Sequence, residues 1–426
     1  MPPKILVVGA GGREHALVRA LKRSTSEPEL LCAPGNPGIE ADARVLPIAI
    51  DDIAGLAGAA EAEHCDLVVI GPEAPLVAGL ADELAARGIA AFGPSAAAAR
   101  LEGSKAFAKE VMEAAGVPTA SWSAVDDVEA GMTAIERYPV VLKFDGLAAG
   151  KGVVIALDEA QARAALDEFL TARRFGPGRV VIEEHLEGEE LSLLAICDGE
   201  RALPMASAQD YKRIFDGDTG PNTGGMGSYS PVPGVGPERV AELSAIVHQP
   251  IVDELRECGT PFHGVLYAGI MLTADGAKVL EYNVRFGDPE TQAVVPRLRS
   301  DAFELLMAAT RPGGLAGMQL HSGDDWAVTL VLASAGYPSA PTTGDVIAGL
   351  DAVAPEIEVT HAGTARRADG AIVTAGGRVL NVTALGATPA SARDAAYAAA
   401  HQIEFAGRQL RGDIALRAVQ RMEEDA

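Results

Sequence analysis

A glycine-rich loop with a lysine near each end occupies residues 143–153 and has the sequence KFDGLAAGKGV. Glycines allow backbone N–H groups to approach phosphate oxygens closely, and the ammonium groups of Lys143 and Lys151 would add positive charge. The apolar runs 139–143 and 152–156 predict strands on both sides of the loop. We therefore expect a flap that covers a nucleoside triphosphate. The alternative is an exposed hairpin with two solvated lysines.

The loop does not fit the P-loop pattern G-x-x-x-x-G-K-[ST], which lies between a strand and a helix. Asp145 occupies the position of the first glycine, and Gly152 occupies the position of the magnesium-binding hydroxyl. Both the residues and the strand-to-strand context exclude a P-loop.

A carboxylate and an amide lie two residues apart, at Glu281 and Asn283, near the end of a predicted strand over 277–283. Residues two apart on a strand project from the same face. Mg²⁺ takes oxygen ligands and leaves positions for water and phosphate. The spacing therefore predicts a magnesium site, with a charged, solvent-facing stripe as the alternative.

Other charged side chains fall at unusual positions. Ser104 is a predicted cap for a helix over 105–115, so Lys105 lies in the first turn, where a cation opposes the helix dipole. Such a local conflict favours a functional role. The segment 284–292, VRFGDPETQ, combines Arg285 with acids in a bent stretch and predicts a polar site.

The chain begins with a buried strand, a glycine turn and a helix start over 5–17, which predicts a doubly wound α/β domain. A dinucleotide site is disfavoured, because Glu14 replaces the third glycine of G-x-G-x-x-G and the second strand lacks a ribose-binding acid. The helix N-terminus can still bind a sugar phosphate. Glu73 follows the strand 67–70, at the edge where such sheets bind ligands; the alternative is a helix N-terminal charge.

Residues 208–228 show no apolar period and contain five glycines. Long loops inside compact proteins are usually binding loops or disordered. The run NTGGMG at 222–227 is rich in backbone donors, so we expect a binding loop. The last hundred residues predict a third α/β unit with a structural role, and His361 and the other histidines have no partner at ligand spacing.

Composition limits the classes of protein. The 426 residues are 48% hydrophobic and predict two to four domains, and the net charge of −24 disfavours nucleic acid and anionic membranes as partners. Four dispersed cysteines, no signal-peptide pattern and no long apolar stretch favour a cytoplasmic protein with free thiols.

Seven blocks in order resemble the ATP-grasp ligases, and most closely their glycinamide ribonucleotide synthetase family. The resemblance covers nearly the whole chain. The blocks are GAGGREHAL at 9–17, PGNPG at 34–38, GPEAPL at 71–76, LEGSKAF at 101–107, DGLAAGKG at 145–152, DTGPNTGGMG at 218–227 and RFGDPET at 285–291. The family places Ala and His where this chain has Phe144 and Tyr211.

The resemblance implies an ATP-grasp fold in three parts: an N-terminal doubly wound domain over 1–102, an ATP-grasp domain over 103–325 with a mobile lid over 119–187, and a C-terminal α/β domain over 326–426. It implies a monomer or small homo-oligomer. It also implies ATP as co-substrate and Mg²⁺ or Mn²⁺ as cofactor, held by Glu281 and Asn283. The preceding strand lacks the acid that many ATP-grasp proteins place there, so phosphates and water would complete the metal shell.

The nucleotide site implied by the resemblance has phosphate-binding lysines, a closing flap, a backbone-lined adenine pocket and an acid for the ribose. These residues are Lys105 and Lys143 for the phosphates, Gly150, Lys151 and Gly152 in the flap, Glu183, Glu184 and Leu186 around the adenine, and Glu190 at the ribose.

The implied reaction joins glycine to 5-phosphoribosylamine through a glycyl phosphate, with Lys143 and Arg285 as catalytic residues. The implied substrate residues are Gly11, Gly12, Arg13, Glu73, Arg285 and Asp288 on the sugar-phosphate side, and Asp210, Lys212, Asn222, Thr223 and Gly225 in the loop that faces the amino acid. Two alternatives stay open: an ATP-grasp carboxylase with the same nucleotide site, and a dinucleotide-binding protein that uses only the first domain.

Overall fold

The computed structural model describes residues 2–148 and 152–424. Among these residues, the strands form four sheets of four or five strands and two short two-stranded sheets. All four cysteines are free thiols, as predicted. No helix in the described part of the chain is long and apolar enough to cross a membrane.

The N-terminal sheet has five parallel strands in the spatial order 3-2-1-4-5. Both faces of its first strand are covered, because Ile5 and Val7 pack in one apolar cluster while Leu6 and Val8 pack in another. The strand order reverses between the first and fourth strands, where such sheets bind ligands. The strands are Lys4–Gly9, Glu29–Pro34, Arg44–Val45, Leu67–Ile70 and Ala90–Phe92, and the helices are Gly12–Lys22, Ile53–Ala62, Glu73–Val77, Leu80–Ala86 and Ala96–Gly103.

A second sheet is antiparallel and contains the predicted flap hairpin. Its strands pair in the order first, fourth, second, third along the chain. Phe144 and Phe169 pack edge to face in its own small core. The strands are Trp122–Val125, Val140–Phe144, Val153–Ala156 and Val180–Glu184, and the helices are Val128–Ala134, Glu159–Leu166 and the π-helical turn Asp167–Thr171.

A third sheet is antiparallel, and we call it the floor sheet. Its register aligns Ser192, Gly269 and Glu281 in one row across three strands, with Tyr267 opposite Asn283 in the next. Cross-strand partners share a face, so these side chains project to one side. The strands are Glu189–Asp198, Ala202–Pro204, His263–Thr273 and Gly276–Asn283, and the helices are Lys105–Ala114, Pro237–Val247, Gln249–Glu257, Glu290–Val294 and Ala302–Ala309.

The fourth sheet joins the C-terminal part to the predicted binding loop. Its strands are Gln209–Asp210, Gly227–Ser230, Trp326–Ala333, Glu358–His361 and Arg378–Gly386, and the helices of the C-terminal part are Pro389–Ala400 and Leu416–Glu424. Two short hairpins lie outside the four larger sheets: Arg213–Phe215 with Thr219–Asn222, and Thr364–Arg366 with Ile372–Thr374. Elsewhere in the chain, 3-10 turns are formed by Ile39–Ala41, Val295–Arg297 and Leu350–Ala352.

The expectation of a loop over 208–228 was wrong in part. Both ends of the segment enter the fourth sheet, and its middle forms a hairpin. Further along the chain, two helices meet at His248, with Pro250 in the first turn of the second.

Candidate active site

Lys143 lies at the centre of a buried cluster of opposite charges. Its Nζ donates to Glu183 Oε2 at 3.0 Å and to the carbonyl of Leu280 at 2.8 Å. Lys109 Nζ lies 3.0 Å from the same Glu183 oxygen and donates to Thr119 Oγ1 at 2.7 Å. Burial lowers the pKa of Lys109 to about 8, although the Glu183 carboxylate opposes this shift. The cluster holds two lysines and one carboxylate.

The flap begins against the helix that bears Lys105. Ser104 caps this helix, as predicted, by accepting from the Phe107 N–H. Lys105 Nζ donates to the carbonyl of Gly146 at 3.0 Å, and Ser104 Oγ donates to Asp145 Oδ1 at 2.9 Å. Lys105 therefore has its ammonium group at the base of the flap.

Two flap predictions, Gly150 and Lys151, lie outside the described residues. Gly152 is buried, and a Cβ at this position would lie 2.6 Å from Ala148 Cβ. Only a residue without a side chain fits this close approach.

The predicted adenine residues lie at the end of strand Val180–Glu184, next to the floor sheet. Leu186 packs with Ala120 and Met271 in a small apolar cluster. The Glu184 carboxylate accepts from the Ser121 N–H at 3.1 Å and from Lys278 Nζ at 3.2 Å. The contacts of Glu184 fix the end of strand Val180–Glu184, and the apolar cluster of Leu186 lies beside it.

Glu190 and Lys212 are joined, because Lys212 Nζ donates to Glu190 Oε2 at 2.5 Å. The acids Asp210, Glu190 and Glu281 raise the pKa of Lys212 against the lowering effect of burial. This pair connects the ribose residue to the substrate loop.

Glu281 is surrounded by cations, and no hydrogen bond or ion pair of its carboxylate occurs among the described residues. Burial raises its pKa, but positive side chains outweigh burial and hold the pKa below its usual value. The four cations are Lys143, Lys212, Lys105 and Arg285. Asn283 Oδ1 accepts from Arg285 Nη2 at 3.2 Å. The ionised carboxylate and the amide oxygen lie side by side, as the strand spacing predicts.

Arg285 links three parts of the fold. Its Nη2 donates to Glu102 Oε1 at 2.9 Å, and its Nε lies 3.4 Å from Glu73 Oε2. Burial lowers the pKa of Arg285, but the Glu102 and Glu73 carboxylates outweigh it and raise the pKa above the usual value. Arg285 therefore stays charged beside the floor sheet.

Among the predicted substrate-loop residues, Asp210 lies near charged side chains, whereas Thr223 and Gly225 shape the loop. Asp210 is partly buried near Lys212 and Glu290, and burial raises its pKa to about 7 although Lys212 opposes the shift. Thr223 Oγ1 donates to the carbonyl of Lys212 at 2.9 Å and accepts from the Gly225 N–H at 3.0 Å, so these residues shape the loop.

Asn222 lies on the exposed strand Thr219–Asn222. No hydrogen bond or ion pair of the described residues joins its side chain to the cation cluster. Its assignment as a substrate residue stays a prediction.

Tyr211, at a position where the family has His, is buried and connects this loop to the C-terminal segment. Its hydroxyl accepts from the Ala415 N–H at 3.0 Å, and the Arg411 guanidinium lies 4.8 Å from its ring centroid. The C-terminal segment thus anchors the hairpin.

At the N-terminal glycine turn, the three predicted residues differ in their surroundings. Gly11 lines a cavity, and its N–H donates to Glu14 Oε2 at 2.7 Å. A Cβ on Gly12 would lie 2.0 Å from Asn381 Nδ2, so this glycine allows close packing against the C-terminal sheet. Arg13 is buried and donates to Glu14 and to the carbonyl of Phe286. Arg13 and Gly12 thus hold the turn in position.

The cavity beside Gly11 has a volume of about 380 Å³ and lies between the N-terminal turn, Asp288 and the C-terminal part. Arg378 is the cation that lines it: its Nη2 lies 3.1 Å from Asp288 Oδ2, and its Nη1 donates to the carbonyls of Asp288 and Gly224. The other lining residues are Ala10, Gly35, Asn36, Ala362, Gly363, Thr364 and Ala375.

Four side chains at the site were missed by the sequence predictions: Lys109, Glu102, Glu290 and Arg378. Lys109 lies one helical turn after Lys105, and Glu102 and Glu290 lie within recognised blocks, so their positions gave a usable indication. Arg378 belongs to the unit that was expected to be only structural. Residues of this unit line the cavity, together with residues of the N-terminal turn.

Comparisons with known proteins match this arrangement over nearly the whole chain. The N domain of phosphoribosylglycinamide synthetase matches residues 3–102, its ATP-grasp (A) domain matches 103–291, and its C domain matches 327–417. The chain belongs to the phosphoribosylglycinamide synthetase family. The predicted family and ATP-grasp fold are confirmed.

Individual relatives in this family are similar along their full lengths. The phosphoribosylamine–glycine ligase of Streptomyces coelicolor is 51% identical over 97% of this chain and 99% of its own. That of Xanthomonas axonopodis pv. citri is 49% identical over 98% of each chain. The crystal structure of the Thermotoga maritima ligase has a TM-score of 0.81 and 34% identity, covering 96% of this chain and 100% of that one.

A more distant neighbour shows the fold alone. The biotin carboxylase of Campylobacter jejuni has a TM-score of 0.74 but only 16% identity, over 96% of this chain and 92% of that one. The shared architecture is therefore the ATP-grasp core and does not indicate a carboxylase reaction.

Proposed function

We propose that this family member joins glycine to 5-phosphoribosylamine with ATP, giving glycinamide ribonucleotide, ADP and phosphate in purine biosynthesis. The observation that supports it most is the position of Lys143 and Arg285, which donate to Leu280 and Asn283 on either side of Glu281. Lys105 and Lys212 also help to hold the pKa of Glu281 below its usual value. Such a cation cluster in an otherwise acidic protein suits a triphosphate and an amino-acid carboxylate.

In this proposal ATP lies between the flap sheet and the floor sheet. Lys105 and Lys143 contact its phosphates, and the glycine flap with Gly150, Lys151 and Gly152 closes over them. Backbone groups of Glu183, Glu184 and Leu186 bind the adenine, and Glu190 binds the ribose. ATP phosphates would compete with Glu183 for Lys143, while Lys109 remains to balance that carboxylate.

The divalent ion would be held by Glu281 and Asn283, and both Mg²⁺ and Mn²⁺ suit oxygen donors. The fit is supported by the ionised Glu281 carboxylate, which has no protein partner among the described residues, and by the neighbouring amide oxygen. The described residues contain no group of three or more His, Cys, Asp or Glu side chains that could hold a metal. When bound, the ion would neutralise phosphate charge.

The chemistry follows from the inertness of a carboxylate towards amines. A glycine carboxylate oxygen attacks the γ-phosphorus, ADP leaves, and a glycyl phosphate forms. The amine of phosphoribosylamine then attacks the acyl carbon and loses a proton as phosphate leaves. Lys143 and Arg285 stabilise the charge that develops on the transferred group.

The sugar phosphate would occupy the cavity beside Gly11, which Asp288 lines, with Gly12 and Arg13 behind the turn. Arg378 supplies the positive charge there. Glu73 would contribute from its position beside Arg285. Because an acyl phosphate reacts with water, closure of the lid over 119–187 would protect it. The domain limits 1–102, 103–325 and 326–426, the cytoplasmic location and the monomer or small homo-oligomer stay predictions.

The test is ADP release by the purified protein with Mg-ATP and freshly generated phosphoribosylamine, with and without glycine. We expect glycine-dependent turnover that Lys143→Ala and Glu281→Ala each reduce at least a hundredfold, because each removes a charge that acts on the phosphates. The Lys4→Met variant, which removes a lysine that pairs with Glu29 and Glu63, is the control and should keep full activity. Turnover that needs bicarbonate instead of glycine would reject the ligase in favour of a carboxylase.

A further inference from the structure

Glu290 is a buried acid, and one of its carboxylate oxygens has no hydrogen-bond partner. The residue is 3% exposed and is the first residue of helix Glu290–Val294. Its Oε1 accepts from Tyr267 Oη at 2.7 Å and from Ser192 Oγ at 3.4 Å. Its Oε2 is buried without a hydrogen bond. A buried carboxylate oxygen in this state is unfavourable unless a ligand donates to it.

A second buried oxygen without a hydrogen-bond partner belongs to Ser228, on strand Gly227–Ser230. Ser228 is fully buried, and its Oγ has no hydrogen bond. Ser228 pairs directly with Asp210, so the two side chains share a face. The helix that begins at Glu290 packs against this strand.

The opposite face of the strand does not offer such atoms. Tyr229 projects to that side, and its hydroxyl donates to Gln209 Oε1 at 2.5 Å. Ser228 projects to the other face, which it shares with Thr329, Thr383 and Asn381. Asn381 lies beside Gln292 of the helix that begins at Glu290. Ser192, which donates to Glu290, also pairs with Ala208, two residues before Asp210, so Asp210 and Glu290 lie in the same part of the fold.

We propose that Glu290, Asp210 and Ser228 form a site for the α-ammonium group of the glycine substrate. A primary ammonium group has three N–H donors and no acceptor, which matches one oxygen from each side chain. Arg285 precedes Glu290 by five residues and has a buried Nε without a hydrogen bond, so its guanidinium can bind the substrate carboxylate. The three oxygens and the guanidinium together fit an amino-acid zwitterion. This inference rests on the proposed function.

The site has a chemical consequence. A protonated amine has no lone pair, so glycine held as an ammonium ion cannot attack a glycyl phosphate. The neutral amine of phosphoribosylamine then has no competitor at the acyl carbon. The site would thus select the carboxylate end of glycine for activation and keep its amino end inert.

The test compares Michaelis constants for glycine and ATP in the wild type, Ser228→Ala and Glu290→Gln. We expect the glycine KM to rise about tenfold or more in both variants, while the ATP KM changes less than about twofold, because only the ammonium contact is lost. Ser228→Ala should leave the melting temperature unchanged, since its hydroxyl has no partner in the protein.

Ser230→Ala is the matched control on the same strand. Its hydroxyl donates to the carbonyl of Ser207 at 2.7 Å and accepts from Arg297 Nη1 at 2.8 Å. Its removal should lower the melting temperature and leave the glycine KM unchanged.

A glycine KM within about twofold of wild type in both site variants would overturn the ammonium site, and so would equal increases in the glycine and ATP constants. Absence of glycine-dependent turnover in the wild type would instead reject the proposed function.

Discussion

Lys109 and Lys143 share one buried carboxylate, because the Nζ of each lies 3.0 Å from Glu183. Two cations and one anion leave an excess positive charge in the cluster. Without Lys109, Glu183 would neutralise Lys143 fully. Lys109 is thus a positioning residue that keeps Lys143 available for phosphate.

We predict that Lys109→Met raises the KM for ATP about tenfold, because Glu183 then binds Lys143 more tightly and competes with the triphosphate. Initial rates at varied ATP and fixed glycine measure this effect. Lys4→Met is the control, since Lys4 pairs with Glu29 and Glu63 at the opposite edge of the N-terminal sheet. An unchanged ATP KM in Lys109→Met would contradict the shared-carboxylate interpretation.

Arg378→Ala should raise the KM for phosphoribosylamine about tenfold or more, because it removes the cation that lines the cavity. The measurement is the rate at varied phosphoribosylamine with saturating ATP and glycine. Arg367→Ala is the comparison variant, because Arg367 is exposed and pairs with Asp369. Similar phosphoribosylamine constants in the two variants would place the sugar phosphate elsewhere.

Gly12→Ala should lower the free energy of unfolding by about 1 to 3 kcal/mol, because the added Cβ would lie 2.0 Å from Asn381 Nδ2. Gly58→Ala is the matched control inside helix Ile53–Ala62, where the nearest atom to a new Cβ is 4.0 Å away. That change should stabilise the protein by about 0.5 to 1 kcal/mol. Urea unfolding of both variants measures the contrast. Equal effects would contradict the close packing at Gly12.

The burial of His248 predicts that the folded protein loses stability in mild acid. Burial lowers its pKa from 6.5 to about 4, and its Nε2–H donates to the carbonyl of Leu193. The folded state therefore prefers the neutral ring. Its contribution is complete above the unfolded pKa of 6.5 and is lost as the pH falls from there towards 4.

Between pH 7.5 and pH 5, this linkage should reduce the free energy of unfolding by about 2 kcal/mol. The reduction should be smaller in His248→Gln and unchanged in the exposed His321→Gln. An equal pH dependence in His248→Gln and the wild type would show that His248 does not cause it.

Local patterns predicted single elements of the site, while the ATP-grasp fold was expected from the resemblance. Ser104 caps its helix, the strands on both sides of the glycine loop form a hairpin, and Glu281 and Asn283 share a face. Each depends on residues close in sequence, through helix capping or the two-residue period of a strand.

Contacts between distant segments were beyond such patterns. Arg378 meets Asp288 across 90 residues, and the row that joins Asp210 to Ser228 and Thr329 depends on strand register between separate parts of the chain. The segment 208–228 shows no apolar period because its strands are short and its hairpin is exposed. Its order comes from the C-terminal sheet and from Arg411.

The route through a glycyl phosphate is tested most directly with glycine labelled with ¹⁸O in both carboxylate oxygens. If a carboxylate oxygen attacks the γ-phosphorus and phosphate leaves from the acyl carbon, each phosphate released must contain one ¹⁸O atom. Mass spectrometry of the phosphate after glycine-dependent turnover measures this transfer. Phosphate with one label per molecule is the predicted result, and unlabelled phosphate at full turnover would contradict the mechanism.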